Sequence, residues 1–172
     1  MTNDLASEQI LVLTTGGTID KLYFDALSDY QIGQPLVERL LGTGRVTRPF
    51  KIRELMRKDS LELTDEDRMT IVTHARGALA DKIVITHGTD TMTETAKALA
   101  GIDGKTIVLV GALAPARFTE SDAPFNLGMA FATAQVAPPG VYITMNGSVF
   151  RADEVVKDRS AGAFVRSPSR GN

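Results

Sequence analysis

The chain predicts an α/β fold, with a doubly wound, mostly parallel sheet and helices on both faces. Three observations lead there. Short apolar runs of strand length alternate with helix-length segments, two of those runs end directly in glycine–threonine turns, and the composition suggests neither disorder nor a fibrous repeat. Strand candidates lie at about 10–14, 50–55, 82–86, 105–110 and 140–145, and helix candidates at about 35–42, 65–80, 92–100 and 123–136. That alternation means βαβ units. Their crossovers are nearly always right-handed, which winds helices onto both faces of a sheet.

The first run, Ile10-Leu11-Val12-Leu13-Thr14, leads straight into Thr15-Gly16-Gly17-Thr18. Ligands of open α/β sheets bind beyond the carboxyl ends of strands, and a glycine pair lets the backbone turn sharply and approach a substrate closely. Thr18 is therefore a candidate nucleophile, set against a plain strand-to-loop turn whose threonine bonds its own backbone. The stretch 20–34 that follows has no clear period and holds Tyr23, Phe24, Asp25, Ser28, Asp29, Tyr30 and Gly33. Long structureless loops often act as lids, so it is expected to be a mobile flap carrying a tyrosine to the site.

The helix near 65 has Thr64 as N-cap and Asp65, Glu66 and Asp67 in its first turn, where acidic groups suit the helix dipole. Ile71, Val72, Ala75, Ala78 and Leu79 supply its buried stripe. The next strand, Lys82-Ile83-Val84-Ile85-Thr86, is followed at once by His87-Gly88-Thr89-Asp90-Thr91. Thr91 with Glu94 would form a capping box for the helix near Met92, which accounts for part of this cluster without any chemistry. It does not account for two strand ends that both offer Gly followed by Thr, which a doubly wound sheet can bring into one crevice. The last segment, 160–172, is rich in Gly, Ser, Pro and Arg, and its final six residues are expected to fray.

At 172 residues the chain fits one domain spanning 1–172. A net charge of −2 gives no electrostatic reason to expect nucleic acid or an anionic membrane as partner. The absence of cysteine removes disulfides, thiolate catalysis and thiolate metal ligands, and two histidines supply a zinc site poorly. No cofactor and no metal are expected. Residues 1–9 lack the basic start and apolar stretch of a secretory signal, and no run approaches the roughly 20 apolar residues that span a bilayer. A soluble cytoplasmic location is the expectation.

A threonine hydroxyl is a weak nucleophile at neutral pH and needs a base and donors aimed at the developing oxyanion. A lysine in a polar segment is most often a solvated surface charge, so the residues by themselves single out no lysine as that base.

The pair T-G-G-T-I at 15–19 and H-G-T-D-T-M at 87–92 resembles the two signatures of the bacterial-type L-asparaginase family. The likeness continues through Val110-Gly111-Ala112-Leu113-Ala114-Pro115, Asp122-Ala123-Pro124-Phe125-Asn126-Leu127 and Val156-Lys157-Asp158. It covers residues 9–165, corresponding to that family's large amino-terminal domain, of Rossmann or flavodoxin type. The chain resembles a short member without the smaller carboxyl-terminal domain.

The resemblance implies hydrolysis of L-asparagine to L-aspartate and ammonia through a threonine acyl-enzyme. Thr18, Thr89, Lys157, Asp90 and Tyr30 would be catalytic, with Tyr30 preferred over Tyr23 as flap tyrosine from Asp29-Tyr30-Gln31-Ile32-Gly33. Thr89, Lys157 and Asp90 would form one coupled proton-handling cluster, in which Lys157 as a neutral amine could take a proton from Thr89 while Asp90 favours the ammonium. Ser60, Asp59, Gly88, Thr89 and Asp90 would bind substrate, Ser60 taking its carboxylate and Asp90 its ammonium. It also implies a homodimer or homotetramer, a neighbouring subunit's smaller domain completing the site in that family. A phosphate- or nucleotide-binding module is disfavoured, because neither G-x-G-x-x-G after the first strand nor G-x-x-x-x-G-K-[ST] occurs. An amino-acid sensor with weak turnover and an amidase acting on glutamine or another amide remain alternatives.

Overall fold

The computed structural model describes residues 9–24 and 29–167. The expectations placed on residues 1–8 and 168–172, the absent leader and the frayed end, lie outside the described residues.

Six strands make the main sheet. In chain order they are β1 (Ile10–Gly16), β4 (Phe50–Lys58), β5 (Lys82–Thr86), β6 (Thr106–Val110), β7 (Gly140–Met145) and β8 (Ser148–Arg151), arranged β4-β1-β5-β6-β7-β8. The first five are parallel and β8 returns antiparallel on the outer edge. The central strands are apolar on both faces because both faces are covered, as parallel sheets require. All seven residues of β1 and all five of β6 are buried.

Four helices cover the two faces: α1 (Val37–Thr43), α2 (Asp65–Gly77), α3 (Met92–Leu99) and α4 (Ala123–Val136). Val37 and Leu41 of α1 and Leu127, Ala130 and Phe131 of α4 pack on Ile10, Val12, Val84 and Val108. Ile71, Val72 and Ala75 of α2 and Met92, Ala96 and Leu99 of α3 pack on the opposite side chains, Leu11, Leu13, Ile83, Ile85, Ile107 and Leu109. The period-two alternation of each strand thus feeds two separate cores. Each fully buried Ile or Leu contributes about 1.5–3 kcal/mol of transfer free energy.

Thr64 caps α2 as expected. Its hydroxyl accepts from Asp67 N at 3.2 Å while the Asp67 carboxylate accepts from Thr64 N at 2.9 Å, a reciprocal capping box. The helix stops at Gly77, earlier than position 80, and Leu79 is 87% exposed instead of part of the stripe. The reason lies in Lys105, whose ammonium donates to the carbonyls of Ala78 and Ala80 at 2.6 and 2.9 Å and so holds that segment outside the helix. The expected capping box at α3 does not form either. Thr91 occupies the N-cap without a side-chain cap bond, because its hydroxyl donates to Ser60 O at 2.7 Å.

The described residues of the stretch 20–34 are not structureless; Asp25 and Ser28 lie outside them. The described residues form an antiparallel ribbon of β2 (Lys21–Phe24) and β3 (Asp29–Ile32), with Tyr23 opposite Tyr30. Four-residue strands are too short to show a period in the sequence. The end of the chain also pairs: β9 (Val155–Asp158) and β10 (Ala163–Arg166) form a second antiparallel ribbon, with Lys157 opposite Phe164. Phe164 is 3% exposed and joins the α2/α3 core, which anchors the ribbon.

Candidate active site

The spatial order of the parallel strands is 2-1-3-4-5 in chain order, so the winding direction reverses between β1 and β5. The crevice outside the carboxyl ends of strands at such a switch point is where doubly wound proteins bind ligands. The two Gly–Thr turns leave these two strands.

They touch through glycine backbone. Gly17 has φ 89°, and a Cβ there would lie 2.4 Å from Gly88 N and 2.6 Å from Gly88 Cα, so only glycine permits this approach. Gly88 is equally constrained, since its Cβ would fall 2.6 Å from Ser60 Oγ. Thr15 Oγ1 donates to Thr86 O at 2.8 Å, which fixes the strand ends side by side. Thr18 begins the 3₁₀ turn Thr18–Asp20, is half-buried, and its hydroxyl has no hydrogen-bond partner among the described residues.

On the β5 side, Thr89 is 6% exposed and its Oγ1 accepts from Lys157 Nζ at 2.8 Å. The same ammonium lies 2.7 Å from Asp90 Oδ1. The second ribbon delivers this lysine across 68 residues of sequence. Ser60, 1% exposed, starts the 3₁₀ turn Ser60–Glu62, and its Oγ accepts from Asp90 N at 3.2 Å.

Asp59 caps that turn through Leu61 N at 3.2 Å and forms an ion pair with Lys21 Nζ at 2.7 Å. Burial alone would raise its carboxyl pKa, but Lys21 and the Leu61 amide hold it below the ordinary carboxylate range. Asp59 thus ties the β2/β3 ribbon to the Ser60 turn. Tyr30 is 46% exposed, and its ring meets Phe118 edge-on at 6.5 Å. A cleft of about 610 Å³ opens beside it, lined by residues that include Tyr30, Ile32, Arg57, Asp59 and Leu61. The side chain of Tyr23, the alternative flap tyrosine, lies outside the described residues.

Two buried ionisable groups flank the crevice that sequence reasoning gave no role. His87 is fully buried; its Nδ1–H donates to Gly88 O at 2.7 Å and its Nε2 accepts from Thr95 Oγ1 at 2.8 Å. Burial pushes this imidazole down from 6.5 to about 4, so it is a neutral strut behind the Gly88–Thr89 turn. Asp20 is 1% exposed, and burial pushes its carboxyl up to about 6. An aspartate inside an irregular stretch carries no sequence signal for such burial.

Among the described residues, no group of three or more His, Asp or Glu side chains is placed to hold a metal ion, and no helix is long and apolar enough to cross a membrane.

The fold is a doubly wound α/β domain whose switch-point crevice joins two Gly–Thr turns to a lysine–carboxylate pair. The family model "Asparaginase, N-terminal" matches residues 9–171, and the chain belongs to that family. It is 32% identical over 160 residues to the L-asparaginase of Thermococcus kodakarensis, covering 90% of this chain and 49% of that protein. It is 34% identical over 165 residues to L-asparaginase 2 of Escherichia coli, covering 89% and 47%. The solved structure titled a probable cytoplasmic L-asparaginase from Campylobacter jejuni superposes with a TM-score of 0.76 at 31% identity, over 92% of this chain and 52% of that one. The chain spans about half the length of the curated relatives it matches.

Proposed function

We propose that the crevice hydrolyses the side-chain amide of L-asparagine. The observation that carries this reading is the contact of Lys157 Nζ with both Thr89 Oγ1 and Asp90 Oδ1, on the turn that packs against Gly17 beside Thr18.

In the proposed reaction Thr18 Oγ attacks the amide carbon. Its proton passes toward the Thr89–Lys157–Asp90 cluster, and the carbonyl π-bond opens to an oxyanion. Collapse of this intermediate breaks the C–N bond, and protonated nitrogen leaves as ammonia. Water then attacks the Thr18 ester, releasing L-aspartate and restoring the hydroxyl. Asp90 would take the substrate ammonium, and Ser60 its carboxylate, with the Gly88 turn closing the pocket floor. Asp59 would act through Lys21 and the Ser60 turn, and Tyr30 would close over the substrate with the ribbon as flap. The names of the relatives support the reaction class, and the family match over residues 9–171 supports reading the chain, 1–172, as one α/β domain. A homodimer or homotetramer is proposed on family grounds, and a cytoplasmic location on the likeness to the probable cytoplasmic L-asparaginase of Campylobacter jejuni.

Ammonia release from L-asparagine, L-glutamine and simple amides tests the substrate class. Thr18→Ala and Thr89→Ala, each probed by mass spectrometry for a trapped acyl adduct, test the nucleophile. Full activity of Thr18→Ala would remove the main assignment.

A further inference from the structure

Asp20 makes three bonds, each toward a different part of the crevice wall. Its amide donates to Gly17 O at 3.2 Å, which closes the turn containing Thr18. Its carbonyl accepts from Gly33 N at 2.8 Å, at the exit of the first ribbon. Its Oδ1 accepts from Leu36 N at 2.9 Å, the residue that caps α1. Ile19, its neighbour, is fully buried, and its carbonyl accepts from Ala116 N at 3.1 Å. The residue that ends the Thr18 turn therefore holds the ribbon exit through its backbone carbonyl and the start of α1 through its carboxylate.

The carboxylate is an unusual choice for a clasp. It is buried at the base of the ribbon, and its Oδ2 has no hydrogen-bond partner in the structure. A neutral carboxylic acid leaves fewer demands in such a place than a carboxylate, whereas the ionised form is the stronger acceptor for Leu36 N–H. The charged groups acting on it are Glu54 and Arg57 of β4 and Arg117 of the loop after β6: Glu54 favours the acid, and both arginines favour the carboxylate.

We propose that Asp20 is a positioning residue whose carboxylate clasps Leu36, at the start of α1, to the Thr18 turn beside the ribbon exit, and that its proton occupancy sets how firmly Thr18 is held. The catalytic meaning of this clasp rests on the reading of Thr18 as nucleophile; the clasp itself does not.

The test uses Asp20→Asn, which keeps an oxygen acceptor for Leu36 N–H and removes the titration, and Asp20→Ala, which removes both. In threonine-methyl-labelled protein, the Thr18 methyl resonance of the unmodified chain is expected to shift with a midpoint at about pH 6, and to be flat in Asp20→Asn. In Asp20→Ala, Leu36 amide exchange is expected to rise at least about tenfold. The same variant is expected to lower kcat at least about tenfold with KM little changed, and Asp20→Asn to restore kcat. A Thr18 resonance insensitive to this titration, or unchanged Leu36 exchange in Asp20→Ala, overturns the clasp. If the chain releases no ammonia from any amide while the resonance and exchange results appear as expected, the clasp stands and the hydrolase reading fails. Should Asp20→Ala not fold, the Thr18 titration and its loss in Asp20→Asn decide alone.

Discussion

Lys157 Nζ sits 2.8 Å from Thr89 Oγ1, and the two residues come from different structural units. Thr89 follows the central strand β5, whereas Lys157 stands on the β9/β10 ribbon held down by Phe164. The lysine's other partner, Asp90 Oδ1 at 2.7 Å, neutralises its charge at the mouth of the crevice. The side chains of Lys157 and Asp90 are 15% and 36% exposed, so their mutual attraction is only partly screened.

Replacing Lys157 with Met should therefore remove proton handling while largely sparing the fold. Ammonia release from L-asparagine is expected to drop by about 10²–10⁴-fold, the usual contribution of a general acid or base. Activity within threefold of the parent would exclude the lysine from the chemistry.

Ser60→Ala removes the acceptor for Asp90 N and, in the proposed site, a contact to the substrate carboxylate. Steady-state kinetics should show KM rising more than kcat falls, with about 1–3 kcal/mol lost in kcat/KM. A kcat effect with unchanged KM would point instead to a misplaced Thr89 turn.

Gly17→Ala drives a methyl group into the Gly88 backbone at a positive φ of 89°. Urea unfolding should report a loss of at least about 1–3 kcal/mol, together with lost activity. Gly128→Ala is the contrasting case: this glycine lies inside α4 with nothing within 4 Å of an added Cβ. A gain of about 0.5–1 kcal/mol is expected there.

The two buried ionisable groups give opposite pH signatures. Asp20, raised to about 6, is protonated more readily in the folded chain than in the unfolded one, so its contribution is lost as pH rises from about 4 through 6. His87, depressed to about 4, resists protonation in the folded chain, so its contribution is lost as pH falls from 6.5 through 4. Each effect amounts to about 3 kcal/mol at most. Thermal melts across this range should show wild type losing stability with rising pH relative to Asp20→Asn, and with falling pH relative to His87→Gln. Parallel curves for wild type and variant would refute the corresponding assignment.

Much of the fold was legible because burial on both faces leaves a plain mark on a strand. Runs such as Ile83-Val84-Ile85 admit few other interpretations, and the two Gly–Thr motifs mark the strand ends. The small ribbons were not legible. Asp29-Tyr30-Gln31-Ile32 and Ala163-Phe164-Val165-Arg166 are four residues each, and their strand state depends on a partner.

From the sequence alone came the doubly wound class, the two turns that flank the switch point, and the residue types of the candidate site. Tertiary structure decided that Gly17 and Gly88 pack backbone to backbone, that Lys157 reaches Thr89 from a ribbon, and that Asp59 answers to Lys21. It alone revealed the burial of Asp20 and His87. Local propensity and periodicity are written in neighbouring residues, whereas desolvation and hydrogen bonding depend on what the folded chain brings from far away.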